Sequence, residues 1–418
     1  MHKLRLFLRD PRNQIWMTPA VAVVLAVCLA LGSTWADTWI ERPPDISSAS
    51  MERLLAVIAS SMLAVTIFSF GITVTAFASA SMGATPRATE LVMADSSTQV
   101  ALGSFLAAFI YSVVSLIALA LGLYEPAGRF MLLLCTIGVI VYLVINLVIW
   151  VRTLTQIGRL TDTLSRIEKS SDEALRAHVE QPWLGGSEGV SIPRGQQIRG
   201  ASPGFLTHIN TAALQACAEK LDTTLHVQVR PGAFVDAATV LVVVADHPGD
   251  EETARIVGAF VTGPTRSYDQ DPRFGLIVLG EVGQRVLSSS FNDSGSAIGV
   301  ASILTRLLLG MSQLRAANTE VAVQYDRLTV VPLDEGDFVS DGFEPLARHG
   351  ATHVDLAVRL QKLLGLIAAT GTGSLAHEAR AVAARAADRS CAALSLAYDI
   401  ELVRDTHAES FPTVLPAD

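Results

Sequence analysis

The sequence predicts an α-helical membrane domain of four transmembrane helices followed by a C-terminal cytoplasmic α+β domain. Half of the 418 residues are hydrophobic and only 17% are charged, whereas charged residues make up about 25% of soluble domains. The long uncharged runs lie in the first 152 residues, and alternating and helical patterns share the remainder. We therefore expect the membrane domain at 1–152, an extended helix and linker at 153–200, and the α+β domain, with a helical C-terminus, at 201–418.

The charge balance and the cysteines narrow the range of partners. With 31 basic and 40 acidic residues the formal charge is −9, which argues against nucleic acid, because such binding calls for a basic surface. The four cysteines stand singly, without the spacing of a disulfide framework or a zinc site. We expect free thiols, no metal, no cofactor and a lipid bilayer as the main partner.

The first two predicted spans differ in character. The first lies between Trp16 and Trp35 and follows a basic N-terminal segment. The alternative interpretation of this segment is a cleaved signal peptide, which we disfavour because its apolar run is longer than that of a typical signal peptide. The second is uncharged from Leu54 to Met82 and carries small or hydroxylated residues on two sides, which permit close helix packing in lipid. Its third side is a bulky ridge of Leu63, Ile67, Phe70, Val74 and Phe77. We expect this helix to lie at the centre of the bundle.

Two further spans run from Gln99 to Leu123 and from Phe130 to Val151. The third span has a hydroxylated face of its own, and the fourth has one strongly polar interior residue, Asn146. The hydroxylated faces have two interpretations: a polar pathway for an ion or small solute, or contacts that hold helices together. No charged residue or histidine lies inside the spans, which argues against proton-coupled transport. The candidate pathway or packing residues are Thr66, Ser69, Thr73, Ser104, Ser112, Ser115 and Asn146.

Lysine and arginine counts predict the orientation. Nine lie on the side of the N-terminus, the link after the second span and the segment after Trp150, and three lie on the other side. Because the cytoplasmic side carries the excess, we expect both termini in the cytoplasm.

The soluble part begins with a helical period from Thr153 to Val179, which we interpret as an extension of the fourth span. A stretch rich in Gly, Pro and Ser at 181–200 is predicted to be a linker. Asp271 and Pro272 form a typical N-cap and N1 pair. Strands are predicted at 225–229, 240–244, 255–262 and 320–331, and helices at 211–221, 273–288, 294–311 and from His353 to about Val403, with a break at 371–373.

The densest polar cluster comprises RSYDQDPRFG at 266–275 and SSSFNDSGSA at 288–297. Here, and at Thr85–Arg87 and the Arg230–Val235 turn, the chain resembles the domain-of-unknown-function 2254 family of bacterial predicted membrane proteins over nearly its whole length. The resemblance implies several N-terminal spans, a soluble C-terminal half and a bacterial inner (cytoplasmic) membrane. It implies no activity, because the function of the family is unassigned. The matching residues are Arg266, Gln270, Asp271, Pro272, Phe274, Gly275, Arg285, Leu287, Ser288, Asn292 and Asp293.

This cluster has two interpretations. In one, Arg266 and Arg273 bind an anionic ligand or a protein partner between two helices. In the other, Asp271 and Asp293 cap helices, and Arg266 and Arg285 pair with them. The candidate residues are Arg266, Gln270, Asp271, Arg273, Arg285, Asn292 and Asp293.

A second polar feature is the pair His349 and His353 beside Asp355, whose spacing can hold a metal. Without further ligands in a convincing array, we interpret them as surface histidines.

The sequence contains no recognised catalytic motif, so we expect no enzyme activity. Two functions remain. The first is an oligomeric, channel-like or sensor membrane module that its cytoplasmic domain regulates through residues 153–179. The alternative is a membrane-anchored scaffold that binds partners through residues 266–293 and transports nothing. We expect a homo-oligomer, with a small ligand or protein partner that the sequence does not identify.

Overall fold

The computed structural model describes residues 23–24, 27–28, 32, 44, 46–83, 85, 87–88, 96–154, 160–189, 194–200, 202–245, 247–318 and 322–412. The chain divides into two compact units, Met1–Thr163 and Leu164–Asp418. Most of the first predicted span, between Trp16 and Trp35, lies outside the described residues.

The described part of the first unit contains three long apolar helices. They are α1 (Ser48–Gly83), α2 (Ser96–Ala120) and α3 (Pro126–Leu154). Each contains a stretch that is long and apolar enough to cross a membrane: Ser48–Thr75, Val100–Ala120 and Pro126–Arg152. These stretches coincide with the second, third and fourth predicted spans.

The outer surface of this bundle is apolar. On α1, the ridge residues Leu63, Ile67, Phe70 and Val74 are exposed, Ile67 to 66%, as expected of a lipid-facing side. Helix α3 exposes a similar surface that includes Val144 and Val148. Inside, α2 packs against both α1 and α3, which touch each other much less, so among the described helices the central position belongs to α2 and not, as expected, to α1. The ridge is therefore confirmed for the four residues whose side chains are described; Phe77 lies outside that set.

The second unit is an α+β structure. Its strands are β1 (Ser187–Glu188), β2 (Gln196–Arg199), β3 (Gly204–Ile209), β4 (Leu225–Val227), β5 (Phe234–Val235), β6 (Val240–Val244), β7 (Phe260–Gly263) and β8 (Leu328–Val330). Its helices are α4 (Leu160–Glu180, which begins just before the unit), α5 (Thr211–Lys220), α6 (Asp250–Gly258), α7 (Pro272–Val286), α8 (Ser294–Ala317), α9 (Gly336–His349), α10 (Val354–Thr370), α11 (Gly373–Ala393) and α12 (Ala397–Ser410).

The strands form two sheets. The larger has the order β1-β8-β4-β6-β2, with β8 parallel to β1 and β4, and β6 antiparallel to β4 and β2. The smaller, β5-β3-β7, is antiparallel throughout. Buried residues of the strands join one core with the helices α5 and α6, represented by Leu206, Leu225, Val242, Ile256 and Val330.

The other helices pack on one another: α7 against α8 and α9, α8 against α10, and α11 against α9, α10 and α12. By length and composition α8 also qualifies as a candidate membrane span. Its apolar residues Leu304 and Leu308 are nevertheless fully buried within this unit, and its Arg306 and Arg315 form ion pairs with Glu168 and Glu335. The apolar composition of α8 is explained by its position inside a helical core.

The structure corrects several predictions of secondary structure. Of the strand predicted at 320–331, only Leu328–Val330 is extended among the described residues, because 322–327 form a loop and turn. The C-terminal helices have a second break at 394–396, and the last one runs on to Ser410.

Residues 255–262 are not one strand, because the acidic first turn of α6 at 250–252 favours a helix N-terminus, and only β7 is extended. The stretch at 181–200 is not simply a linker, since β1 and β2 belong to the larger sheet. Helix α9 escaped prediction because it contains Pro345, which normally interrupts a helix.

Helix α4 lies directly on α7 at a glycine. A Cβ atom built on Gly275 would stand 1.9 Å from the Oγ atom of Ser171 and 2.7 Å from its Cβ. The Ser171 hydroxyl in turn donates a 2.6 Å hydrogen bond to the carbonyl of Ile167. This contact therefore has no room for any side chain at position 275.

We predict that Gly275→Ala lowers the free energy of unfolding by about 1–3 kcal/mol through overpacking, although alanine favours the helix itself by about 0.5–1 kcal/mol. Urea unfolding of the full chain in mild detergent, followed by circular dichroism, measures the change. Gly299→Ala is the matched control, because that position of α8 has no atom within 4 Å of the new methyl group. The close contact would be refuted if both variants were as stable as the native chain.

Candidate functional site

The seven candidate residues of the polar cluster lie at the two ends of α7. Arg266, Gln270, Asp271 and Arg273 surround its N-terminus, whereas the other three lie at or beyond its last turn. The 15 residues of α7 separate the two groups by about 22 Å. The cluster therefore forms two local arrangements and not one site.

The N-terminal arrangement is centred on Asp271, which is only 1% exposed. Its Oδ1 atom accepts a 3.1 Å hydrogen bond from the backbone N–H of Arg273, which caps α7. Arg266 donates to both carboxylate oxygens, at 2.7 Å from Nε and 3.0 Å from Nη2. Burial raises the pKa of Asp271, and hydrogen bonds from Arg266 oppose that rise.

The turn at 230–232 closes over this ion pair. Gly232 has a φ of +94°, and a Cβ atom there would lie 2.3 Å from Oδ2 of Asp271 and 2.7 Å from Nη2 of Arg266. The left-handed backbone and the lack of space both require glycine. On another side the Arg266 guanidinium lies 5.9 Å from the centre of the Phe274 ring.

Gln270 and Arg273 are also engaged by the protein itself. The Gln270 side chain accepts a 2.8 Å hydrogen bond from the backbone N–H of Ile209 and donates one to the carbonyl of the same residue. It thereby satisfies both backbone polar groups of the last residue of β3. Arg273 forms ion pairs with Asp337 and Asp341 of α9. Because carboxylates already occupy Arg266 and Arg273, this geometry favours the capping interpretation, and binding of an anion here stays a prediction.

The C-terminal arrangement joins α7 to α8 and α10. Arg285 is half-buried in the last turn of α7. Asn292 adopts a φ of +48°, and its Oδ1 atom lies 2.8 Å from Nε2 of His353. Asp293 caps α8 by accepting from Ser296 N–H at 2.9 Å. Hydrogen bonds from Ser296 lower the pKa of Asp293.

The two histidines with possible metal spacing contact different partners. His349 Nδ1 lies 3.1 Å from the carbonyl of Pro345, while His353 contacts Asn292. In the part of the chain that the structure describes, no three His, Cys, Asp or Glu side chains are grouped as metal ligands.

Sequence reasoning missed a buried polar network at the C-terminus of α4. His178 Nε2 lies 3.2 Å from Oε1 of Glu335, and Arg315 donates to both oxygens of the same carboxylate. Burial alone would raise the pKa of Glu335, but hydrogen bonds from His178 and Arg315 outweigh it and lower the pKa to about 2. Burial lowers the pKa of His178 despite its contact with Glu335, and the charges of Arg230 and Arg315 lower it further.

Arg230, next to this network, is a buried arginine. It is only 7% exposed. Its Nη1 atom donates a 2.9 Å hydrogen bond to the carbonyl of Pro182. Its Nε atom has no hydrogen-bond partner among the described residues. Burial lowers the pKa of Arg230 to about 10, against the attraction of Asp271. The RPG turn was a visible signal for Arg230, whereas His178 and Glu335 are 157 positions apart and share no local pattern.

In the first unit, most of the candidate hydroxyl residues are buried inside the single chain: Ser69, Thr73, Ser104, Ser112 and Ser115. Thr66, which is half-buried, and Thr73 donate to the carbonyls of Met62 and Ser69, four residues earlier, at 2.6 and 2.8 Å. Ser104 donates to the carbonyl of Ala101 at 2.8 Å, and Asn146 to that of Tyr142 at 2.9 Å. Such bonds to the same helix leave the small side chains at the contacts between helices. This arrangement favours packing over a pathway within one chain.

One interhelical hydrogen bond escaped the sequence reasoning. The hydroxyl groups of Tyr111 on α2 and Thr136 on α3 lie 3.0 Å apart, and both residues are buried. A bond between two different membrane helices fixes their register.

A family model described as "Predicted membrane protein (DUF2254)" matches residues 12–365 of this chain. No curated protein and no solved structure matches the chain. The matched range includes α1 to α9 and most of α10, and it ends before α11.

We predict that acid weakens the second unit in two stages. Because the pKa of His178 is lowered from 6.5, the unfolded chain takes up a proton that the folded chain does not, so stability falls below about pH 6.5. The pKa of Glu335 is lowered from 4.5 to about 2. This residue therefore contributes stability that is complete above about pH 4.5 and is lost as the pH falls toward 2. Urea midpoints of the full chain in detergent at several pH values measure both stages.

His178→Gln should flatten the first stage, since glutamine does not titrate, and should keep the second. His377→Gln, at an exposed position of α11, is the control and should keep the native profile. An unchanged slope between pH 7 and 5 in His178→Gln would contradict the assignment to His178.

Proposed function

The chain belongs to the DUF2254 family of predicted membrane proteins, and on that premise we propose that it is a non-enzymatic sensor of the bacterial inner membrane. In this proposal both termini and the second unit lie in the cytoplasm. The second unit responds to a ligand or partner, and its response reaches the membrane helices through α4.

The observation that carries the proposal is the docking of α4. Along this helix, Glu168 forms an ion pair with Arg306 of α8, Ser171 packs against Gly275 of α7, and His178 bonds to Glu335 before α9. Three parts of the unit therefore hold one helix at points between residues 168 and 178. Only residues 155–159 separate the end of α3 from the start of α4 in the chain. A helix held this firmly suits the transmission of movement better than a passive tether would.

The buried hydroxyl residues support a sensor over a channel. Ser69, Ser104 and Ser112 are buried within their own chain. Their burial therefore requires no second copy of the chain, and they do not face a water-filled pore within this one. The ridge of α1 and the exposed face of α3 are apolar, as a surface in contact with lipid requires. The homo-oligomer expected from the sequence remains a prediction.

We predict that loosening α4 alters the membrane helices. Gly275→Ala, which pushes Ser171 away, should speed amide hydrogen exchange in α3 as well as in α4, because the strain is passed along the chain. Hydrogen exchange with mass spectrometry on the full chain in lipid nanodiscs measures both helices.

The control for that experiment is Gly365→Ala, which crowds Ser410 of α12 at 3.0 Å and does not touch α4. It should speed exchange in α10 and α12 alone. If Gly275→Ala leaves α3 at the native exchange rate, α4 does not couple the two units, and the membrane-anchored scaffold is the better function.

A second experiment separates the sensor from a channel. Liposomes that contain the full chain should stay as impermeable to potassium and chloride as empty ones, because the hydroxyl groups are used in packing. Thr73→Val, which keeps the shape and removes the hydroxyl, should change nothing. An ion flux that this substitution abolishes would restore the pathway interpretation.

A further inference from the structure

A cavity of about 590 Å³ opens between α11 and α12. Its volume lies in the range of small-molecule sites, about 300–1,000 Å³. Alanine side chains of α11, including Ala387, form an apolar floor, while Asp388, Cys391, Arg404 and His407 supply the polar groups. The cavity lies beyond residue 365, where the family match ends, so it is a feature of this chain that the match does not explain.

The two charged residues of the cavity are exposed at its rim, and they have no ion-pair or hydrogen-bond partner among the described residues. Asp388 projects from α11 and Arg404 from α12, and both line the cavity. Their neighbours on α11 are different: Arg385 and Arg389 both form ion pairs with Glu344 of α9. An unpaired carboxylate and an unpaired guanidinium on two helices around one cavity complement a ligand that carries both charges.

The third polar group, His407, is held in one tautomer. The amide of Gln361 is fully buried, and its nitrogen donates a 3.1 Å hydrogen bond to the carbonyl of Ala383. Its oxygen must therefore face His407 Nδ1, at 2.8 Å, and accept a proton from it. Since Nδ1 carries the proton, Nε2 of this cavity-lining imidazole is an acceptor.

We propose that this cavity binds a small zwitterion of the amino-acid type with an apolar side chain. Arg404 takes the carboxylate, Asp388 and Nε2 of His407 accept from the ammonium group, and the alanine floor receives the side chain. The guanidinium fork matches a carboxylate, and the small floor residues leave space for the apolar part. The proposal names a ligand class for the second unit, and direct binding tests it whether or not a signal reaches the membrane.

The first experiment is thermal unfolding of the full chain in nanodiscs with each standard L-amino acid in turn. A ligand that binds the folded state raises the unfolding temperature, and we expect this from apolar amino acids such as L-leucine. Two matched probes lack one charge each: 4-methylpentanoate has no ammonium group, and 3-methylbutylamine has no carboxylate. Both should raise the unfolding temperature much less than L-leucine does.

Substitutions then test the two charges. Arg404→Gln and Asp388→Asn should each weaken L-leucine binding by about tenfold or more, the scale of one charge-assisted hydrogen bond. The controls Arg359→Gln and Asp405→Asn change exposed residues outside the cavity lining and should bind normally. The exchanged pair Asp388→Arg with Arg404→Asp should recover part of the affinity.

Cys391 gives a readout in the native chain that does not depend on the folding of any variant. L-leucine should slow its alkylation by iodoacetamide and leave Cys217 unchanged, as resolved by mass spectrometry. The proposal is overturned if no standard amino acid stabilises the protein or protects Cys391. It is equally overturned if 4-methylpentanoate matches L-leucine, or if both cavity variants keep the native affinity.

Discussion

A carboxylate as deeply buried as Asp271 has to be compensated, and much of the second unit follows from how this is done. The unpaired charge would be several kcal/mol unfavourable. Arg266 supplies the opposite charge through two hydrogen bonds, and the first turn of α7 supplies a backbone N–H. The turn at Gly232 can seal the pair only because it has no side chain. One buried ion pair thus brings the turn before β5 and the start of α7 to a common point, and the adjacent Gln270 joins the end of β3 to it.

Glu335 provides the same kind of constraint for the helices. It lies just before α9 and binds His178 of α4 and Arg315 of α8, so three helices meet at one carboxylate. Removing either partner would leave the mostly buried carboxylate of Glu335 without full compensation, which is less favourable than losing an exposed pair. The close approach of Ser171 and Gly275 is therefore supported on both sides of Ser171, by this network near the C-terminus of α4 and by Glu168 one turn earlier. That is why α4 belongs to the second unit in packing, although its first turn follows the membrane helices in sequence.

Interactions between residues that are close in the chain could be predicted from the sequence, whereas contacts between residues that are far apart in the chain could not. The N-caps Asp271 and Asp293 were recognised because capping depends on residues two or three positions away. The role of Arg273 could not be inferred, because its partners on α9 are more than sixty positions later. The hydroxyl stripes were visible by their spacing, but two interpretations remained until burial within one chain favoured packing. Residues 255–262 were predicted to form one strand, but the acidic first turn at 250–252 favours a helix N-terminus, and only β7 is extended.

The cavity and the docking of α4 are connected through α9. Asp388, in the cavity, has Arg385 and Arg389 as neighbours on α11, and both bind Glu344 near the middle of α9. The same helix begins beside Glu335, which holds His178. Physical continuity alone does not produce coupling, because a ligand shifts an equilibrium only by the difference in its affinity for two states. A zwitterion that neutralises Asp388 would supply such a difference if α11 and α12 separate when the cavity is empty, since the bound charges would then favour the closed pair. The helix that would carry the change onward is held at Glu344, within it, and at Glu335, its N-cap, so coupling between the ligand and α4 would pass through α9.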